Sequence, residues 1–141
     1  MSVGSGDGRP EEVELKIGAE LTNLPIIRSL ASSIAMRADY DLDSIADLKL
    51  AVDEACSTLI TRADVNATLH CSFTVSKDEI RFLVKIRSTS DVVPSSDSFG
   101  WRVLTTLTDH ANSWVERNGQ GGQPEHLVHI ELAKRRAEGP A

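Results

Sequence analysis

Residues 46–60 read ADLKLAVDEACSTLI, and this stretch decides the fold. It contains neither glycine nor proline, and its apolar side chains recur at steps of three and four residues, which is typical of an amphipathic helix. Asp43, just upstream, is placed to cap the first turn. We therefore predict a helix that begins near Asp43 and buries one face. That face consists of Ile45, Leu48, Val52, Ala55 and Leu59.

Three further patterns lie on either side of this helix. Residues 13–21 alternate between apolar and polar side chains, which predicts a half-buried strand. Asn23 can then cap a helix that has Pro25 in its first turn. Residues 68–75 and 80–86 alternate again on either side of a polar turn, so they predict a hairpin of two strands.

The C-terminal third contains one more helix and one more hairpin. A loop rich in Ser, Asp and Pro is predicted for residues 88–98, followed by a third helix that starts near Gly100. Residues 113–117 and 126–133 predict a last hairpin around 118–124, where a Gly-Gly pair supplies the turn geometry. One face of the third helix carries Trp101, Leu104, Leu107 and His110.

This order of elements predicts an α+β domain. A mixed sheet of about five strands would be covered on one face by about three helices. We expect residues 13–133 to form this domain, with a disordered leader at 1–12 and a loose tail at 134–141.

Composition narrows the class of protein. The chain has 141 residues and a formal net charge of −6, and 40% of its residues are hydrophobic, as in an ordinary globular domain. This acidity argues against direct nucleic-acid binding, which needs a basic surface. No apolar run reaches the length of a membrane span, so we expect a cytoplasmic protein without a membrane partner.

The cysteines and histidines do not form a recognisable site. Cys56 and Cys71 lack metal-ligand spacing and lie within apolar patterns, which predicts buried free thiols. The four histidines show no zinc-ligand spacing and accompany no nucleophile in a motif.

The polar side of the helix at 46–60 is open to two interpretations. Asp47, Glu54 and Thr58 share one helix face, because residues three, four and seven apart lie together. They could form a solvated face, and Asp53 would then be an ordinary surface charge. Alternatively, they could line a site together with the flexible loop and the later helix that opens at residues 98–100.

Two segments carry a family resemblance. Residues 46–56 and 98–107 resemble the GHKL (Bergerat-fold) serine kinases of the RsbW and SpoIIAB type, which act as anti-sigma factors. The resemblance in element order covers residues 13–133 and implies a Bergerat α/β sandwich. It implies that Glu54 is the general base. The family's magnesium-binding asparagine lies four residues later, at the position of Thr58, which implies a weaker metal site.

The family's nucleotide-binding signatures are only partly present. Asp91 matches the adenine-reading aspartate only if the alignment is shifted, and the glycines that follow that aspartate are absent. The phosphate-binding Gly-x-Gly pair is represented by Ser98 and Gly100, at the start of a helix where backbone N–H groups can meet a phosphate. The lid between Asp91 and Ser98 is also short. The resemblance thus implies that ATP with Mg²⁺ is bound weakly, or that the nucleotide site is vestigial.

The resemblance also implies protein partners. Arg28 matches an arginine that touches the sigma factor in this family, and Trp101 could be an interface anchor or a core residue. The expected partners are an alternative, stress-type sigma factor resembling sigma-F and anti-anti-sigma proteins of the STAS type, and the chain is expected to form a homodimer. The alternatives are an active serine/threonine kinase that phosphorylates an anti-anti-sigma factor, with residual ATPase activity, and a stand-alone nucleotide-sensing module.

Overall fold

A computed structural model describes residues 10–88, 94–117 and 126–137. These residues form one five-stranded sheet and three α-helices, as predicted. The elements in chain order are β1 (Glu11–Gly18), α1 (Leu24–Arg37), α2 (Leu42–Ile60), β2 (Thr68–Val75), β3 (Glu79–Ser88), α3 (Phe99–Leu107), β4 (His110–Arg117) and β5 (His126–Arg135), with a short 3-10 turn at Leu21–Asn23 before α1.

The strand order across the sheet is β1-β2-β3-β5-β4, and every neighbouring pair is antiparallel. The prediction of a mixed sheet, which would contain parallel as well as antiparallel pairs, is therefore wrong. The two strands joined through α3, β3 and β4, do run in the same direction, but β5 lies between them and pairs with both. Because this insertion separates them, no parallel pair forms.

The helices cover one face of the sheet, and the core lies between the two layers. Alternate residues of β3, from Ile80 to Ser88, are buried on that side, and so is the predicted apolar face of α2, apart from the half-buried Ile45. At the centre, the rings of Phe73 and Phe82 lie 4.7 Å apart on neighbouring strands. Cys56 and Cys71 are free and buried in this core, which confirms the interpretation of both as structural thiols.

Two helix starts differ from the prediction. The N-cap of α2 is Asp41 rather than Asp43, since the Asp41 Oδ1 accepts a 2.7 Å hydrogen bond from the Ser44 backbone N–H. Asn23 does precede α1 with Pro25 in the first turn, but its side chain does not cap the helix. Its Nδ2 instead donates to the Gly18 carbonyl oxygen at 2.8 Å, which ties the end of β1 to the start of α1.

Several strand ends also differ. β1 begins at Glu11 and β5 continues to Arg135, so the sheet extends slightly beyond 13–133 at both ends. His110, predicted on the face of the third helix, is instead the first residue of β4, because α3 ends at Leu107. Most of the predicted leader, the end of the tail and the turn at 118–124 lie outside the described residues.

No helix among the described residues has the length and apolar character needed to cross a membrane.

Candidate functional site

The candidate site is centred on Glu54, which is half buried on α2. Thr58 lies one turn further along the same helix, and its hydroxyl donates a 3.1 Å hydrogen bond to the Glu54 Oε2. This is the geometry expected of residues four apart on a helix. The predicted general base and the residue at the predicted metal position are therefore in direct contact.

Gly100 brings the start of α3 against this carboxylate. A Cβ atom at Gly100 would lie 2.8 Å from the Glu54 Oε2 and 3.2 Å from its carboxyl carbon, which is closer than such atoms normally approach. The absence of a side chain at Gly100 thus allows α3 to pack onto Glu54. Although Glu54 and Gly100 are 46 residues apart in the chain, the fold places them side by side.

Ser98 caps α3 at this point. Its hydroxyl accepts a 3.1 Å hydrogen bond from the Trp101 backbone N–H, so it supports the helix start. The N-terminus of a helix favours a negative charge. The carboxylate of Glu54, in contact with the first turn of α3, supplies such a charge from within the protein.

The described residues offer a magnesium ion one carboxylate and one hydroxyl at this site. Mg²⁺ requires near-octahedral oxygen coordination, commonly from one or two carboxylates together with phosphates and water. Here Glu54 is the carboxylate at the site, and the Thr58 hydroxyl proton is already donated to it. Across the part of the chain that the structure describes, there is no group of three or more His, Cys, Asp or Glu side chains that could hold a metal ion.

Two other predicted residues have different surroundings. Asp91 lies outside the described residues. Trp101 is half buried and packs against the hydrophobic core, in the first turn of α3.

The core side of the site also includes Cys56, two residues after Glu54. Burial and a hydrogen bond to Cys71 raise the pKa of the Cys56 thiol well above its usual value, so this thiol stays protonated.

Arg28 lies on α1 and faces α2, where it pairs with Asp53, the residue directly before Glu54. Its Nε is 3.0 Å from the Asp53 Oδ1 of α2, and both side chains remain about one-third or more exposed, at 41% and 32%. If the polar side of α2 were only a solvated face, Asp53 would be an ordinary surface charge, but it pairs with Arg28. The pairing connects two helices and is invisible in the spacing within either one.

A cleft of about 260 Å³ adjoins this ion pair. It contains two cationic groups, Arg28 and Lys49, and two hydroxyls, Ser29 and Ser32, with Pro25 at its apolar end. Lys49, Ser29 and Ser32 were not predicted as site residues. The cleft offers donors and positive charge, which is the chemistry that recognises a carboxylate.

Several known proteins are similar to this chain in sequence. No family model matches the chain. The anti-sigma-F factor RsbW of Mycobacterium tuberculosis is 38% identical over 128 residues, which cover 89% of this chain and 74% of that protein. The serine-protein kinases RsbW of Halalkalibacterium halodurans and Bacillus subtilis are 34% and 36% identical over 54% and 51% of this chain, and over 48% and 47% of their own lengths. The extent and identity of the first match show that this chain belongs to the RsbW family.

Proposed function

We propose that the protein is an anti-sigma factor that binds and sequesters an alternative, stress-type sigma factor and is released by anti-anti-sigma proteins of the STAS type. The observation that carries this proposal is the match over 89% of the chain to a relative named anti-sigma-F factor RsbW. The relatives named serine-protein kinases match only about half of the chain. We extend the proposal to a homodimer that acts in the cytoplasm.

The geometry around Glu54 supports a degenerate nucleotide site. The Thr58 hydroxyl is hydrogen-bonded to Glu54, and Gly100 brings α3 within contact of the same carboxylate. Thr58 offers a hydroxyl where the family has an amide carbonyl, and among the described residues no group of three or more His, Cys, Asp or Glu side chains could hold a metal ion. We therefore propose that any binding of ATP with Mg²⁺ is weak.

Arg28 is the proposed contact for the sigma factor. A carboxylate of the partner that enters the cleft beside α1 would meet Arg28 and Lys49 together. To bind Arg28 fully it must displace Asp53, whose paired oxygen is buried although both side chains are partly exposed. The partner's carboxylate then replaces that of Asp53 at Arg28 and gains Lys49 as a second cation.

Size-exclusion chromatography of the protein with its cognate sigma factor, at micromolar concentrations, tests the proposal. We expect co-elution, and we expect Arg28→Glu to weaken binding by about tenfold or more because it repels an acidic partner. Arg37→Glu is the matched control. Arg37 lies on the same helix, is equally exposed and also forms an ion pair, 3.1 Å from Glu11, but it lies about two and a half helical turns away from the proposed contact. Absence of a complex would reject the anti-sigma function, and equal effects of the two substitutions would reject the role of Arg28.

A second candidate function is an active serine/threonine kinase that phosphorylates the anti-anti-sigma factor. It is favoured by the presence of Glu54 beside the start of α3 and by the kinase names of some relatives. Glu54 would accept the proton of the substrate hydroxyl. Incubation with labelled ATP, Mg²⁺ and the anti-anti-sigma protein tests this. Label transfer that Glu54→Ala abolishes would establish the kinase and overturn the degenerate site.

A further inference from the structure

The face of the sheet away from the helices carries a row of basic and aromatic side chains. In the strand register, Lys16 of β1 lies opposite His70 of β2, and His70 lies opposite Lys85 of β3. The row continues through His129 of β5 to Trp114 of β4, so it crosses all five strands. This arrangement is notable in a chain whose formal net charge is −6.

A cavity of about 460 Å³ lies over the first three strands of this face. Its lining comes from two adjacent rows. One row is Lys16, His70 and Lys85, and the parallel row is Glu14, Ser72 and Leu83. The volume is within the range of small-molecule sites in proteins.

The charges in the first row are not compensated by pairing within it. Lys16 on β1 and Lys85 on β3 lie on either side of His70, so this row brings two positive charges to one small area of the sheet. The effect is visible at His70: burial, followed by the charges of Lys16, Lys85 and Arg87, lowers the pKa of its imidazole, while Glu14 opposes them. A bound anion would relieve this repulsion.

The second row indicates what else the ligand carries. The carboxylate of Glu14 can only accept hydrogen bonds, so it would repel a second anionic group but suits hydroxyl donors. The Ser72 hydroxyl can either donate or accept, and Leu83 provides an apolar surface. Phosphate along the first row and hydroxyls along the adjacent row describe a phosphorylated sugar or polyol.

We propose that this cavity binds a sugar phosphate, with the phosphate held by Lys16 and Lys85 and the sugar hydroxyls by Glu14. The site is on the opposite side of the sheet from Glu54 and Arg28, and its existence does not depend on the sigma-factor proposal. The source of the sugar phosphate could be a free metabolite or the ribose phosphate of a nucleotide.

Isothermal titration of the full chain at low salt tests the proposal with three probes: ribose 5-phosphate, ribose and inorganic phosphate. We expect saturable binding of ribose 5-phosphate, weaker binding of phosphate and none of ribose. Adenosine 5′-monophosphate added as a fourth probe distinguishes the two sources, since only a nucleotide site gains affinity from the base. Binding of phosphate as tight as that of ribose 5-phosphate would overturn the assignment of the sugar to Glu14.

Substitutions locate the site. The double variant Lys16→Gln, Lys85→Gln should weaken binding by about tenfold or more, as loss of charge-assisted hydrogen bonds does. Lys77→Gln is the control, because Lys77 lies in the β2–β3 turn of the same sheet and outside the cavity. The NMR titration of His70 gives a second readout, since a bound phosphate should raise its pKa in the wild-type chain. No saturable binding, or binding that the lysine substitutions leave unchanged, would overturn the proposal.

Discussion

At the scale of the residue, the contact between Gly100 and Glu54 can be tested by a double-mutant cycle. A methyl group in Gly100→Ala would lie 2.8 Å from the Glu54 Oε2, so the carboxylate, at the end of a flexible side chain, must move and its hydrogen bond from Thr58 is disturbed. Because the gain in helix propensity offsets part of this cost, we expect a net destabilisation of about 1 kcal/mol or less, measured by urea unfolding. In a Glu54→Ala background the same substitution should be neutral or stabilising, since alanine is favoured over glycine in a helix by up to about 1 kcal/mol. Equal effects in both backgrounds would contradict the contact.

His129 should make stability depend on pH. Its side chain is only 4% exposed, stacks on Trp114 with ring centroids 4.8 Å apart, and has an Nδ1 without a hydrogen-bond partner among the described residues. Burial lowers the pKa of this imidazole from 6.5, while Glu116 raises it and Lys85 lowers it to a smaller extent. The pKa of His129 is lower in the folded than in the unfolded chain. The free energy of unfolding is therefore at its full value above about pH 6.5, and it decreases as the pH falls from there through the lower folded pKa.

Melting temperatures measured between pH 5 and pH 8 test this, and we expect them to rise with pH across the unfolded pKa. His129→Phe keeps an aromatic ring against Trp114 but removes the titration, so its melting curve should depend less on pH. His110→Gln is the control, because His110 is exposed at the start of β4. Parallel pH profiles for the wild type and His129→Phe would show that another group is responsible.

At the scale of the element, α2 depends on Asp41 for its first turn. Hydrogen bonds from the Ser44 side chain and backbone to the Asp41 carboxylate lower its pKa, so the ionised form is stabilised by folding. Asp41→Ala should lower the melting temperature at pH 7, and the difference from wild type should diminish as acid protonates Asp41. Asp43→Ala is the matched control, because Asp43 is an acidic residue of the same turn but not the cap. A larger effect at Asp43 would restore it as the cap that the sequence suggested.

The type of an element, helix or strand, was predictable where the spacing of apolar residues within one segment shows which side faces the core. The alternation in β2 and β3 and the three-and-four spacing in α2 each reflect the side that faces the core, so their type follows from local sequence. Ends were less predictable. Asp41 and Asp43 have the same cap chemistry, and only the backbone conformation at Asp41, extended with φ −71° and ψ 165°, decides between them.

At the scale of the whole molecule, the sequence did not predict how distant segments meet. The position of β5 between β3 and β4 makes the sheet antiparallel, and no local pattern encodes that pairing. The pairing of Arg28 with Asp53 was missed for the same reason. Glu54 and Gly100 were associated through a family resemblance rather than through spacing, and the structure then placed them in contact.

The core between the two layers should provide most of the stability of the fold. A comparison of one buried and one exposed phenylalanine tests this. Phe82 is fully buried on the central strand β3, so Phe82→Ala should cost about 3–5 kcal/mol in urea unfolding, a large share of the stability of a single domain. Phe99 is 81% exposed at the start of α3, so Phe99→Ala should change stability by less than about 0.5 kcal/mol. If Phe99→Ala were instead as costly as Phe82→Ala, and increasingly so at higher protein concentration, Phe99 would be buried in solution by a second copy of the chain, since only association makes stability depend on concentration.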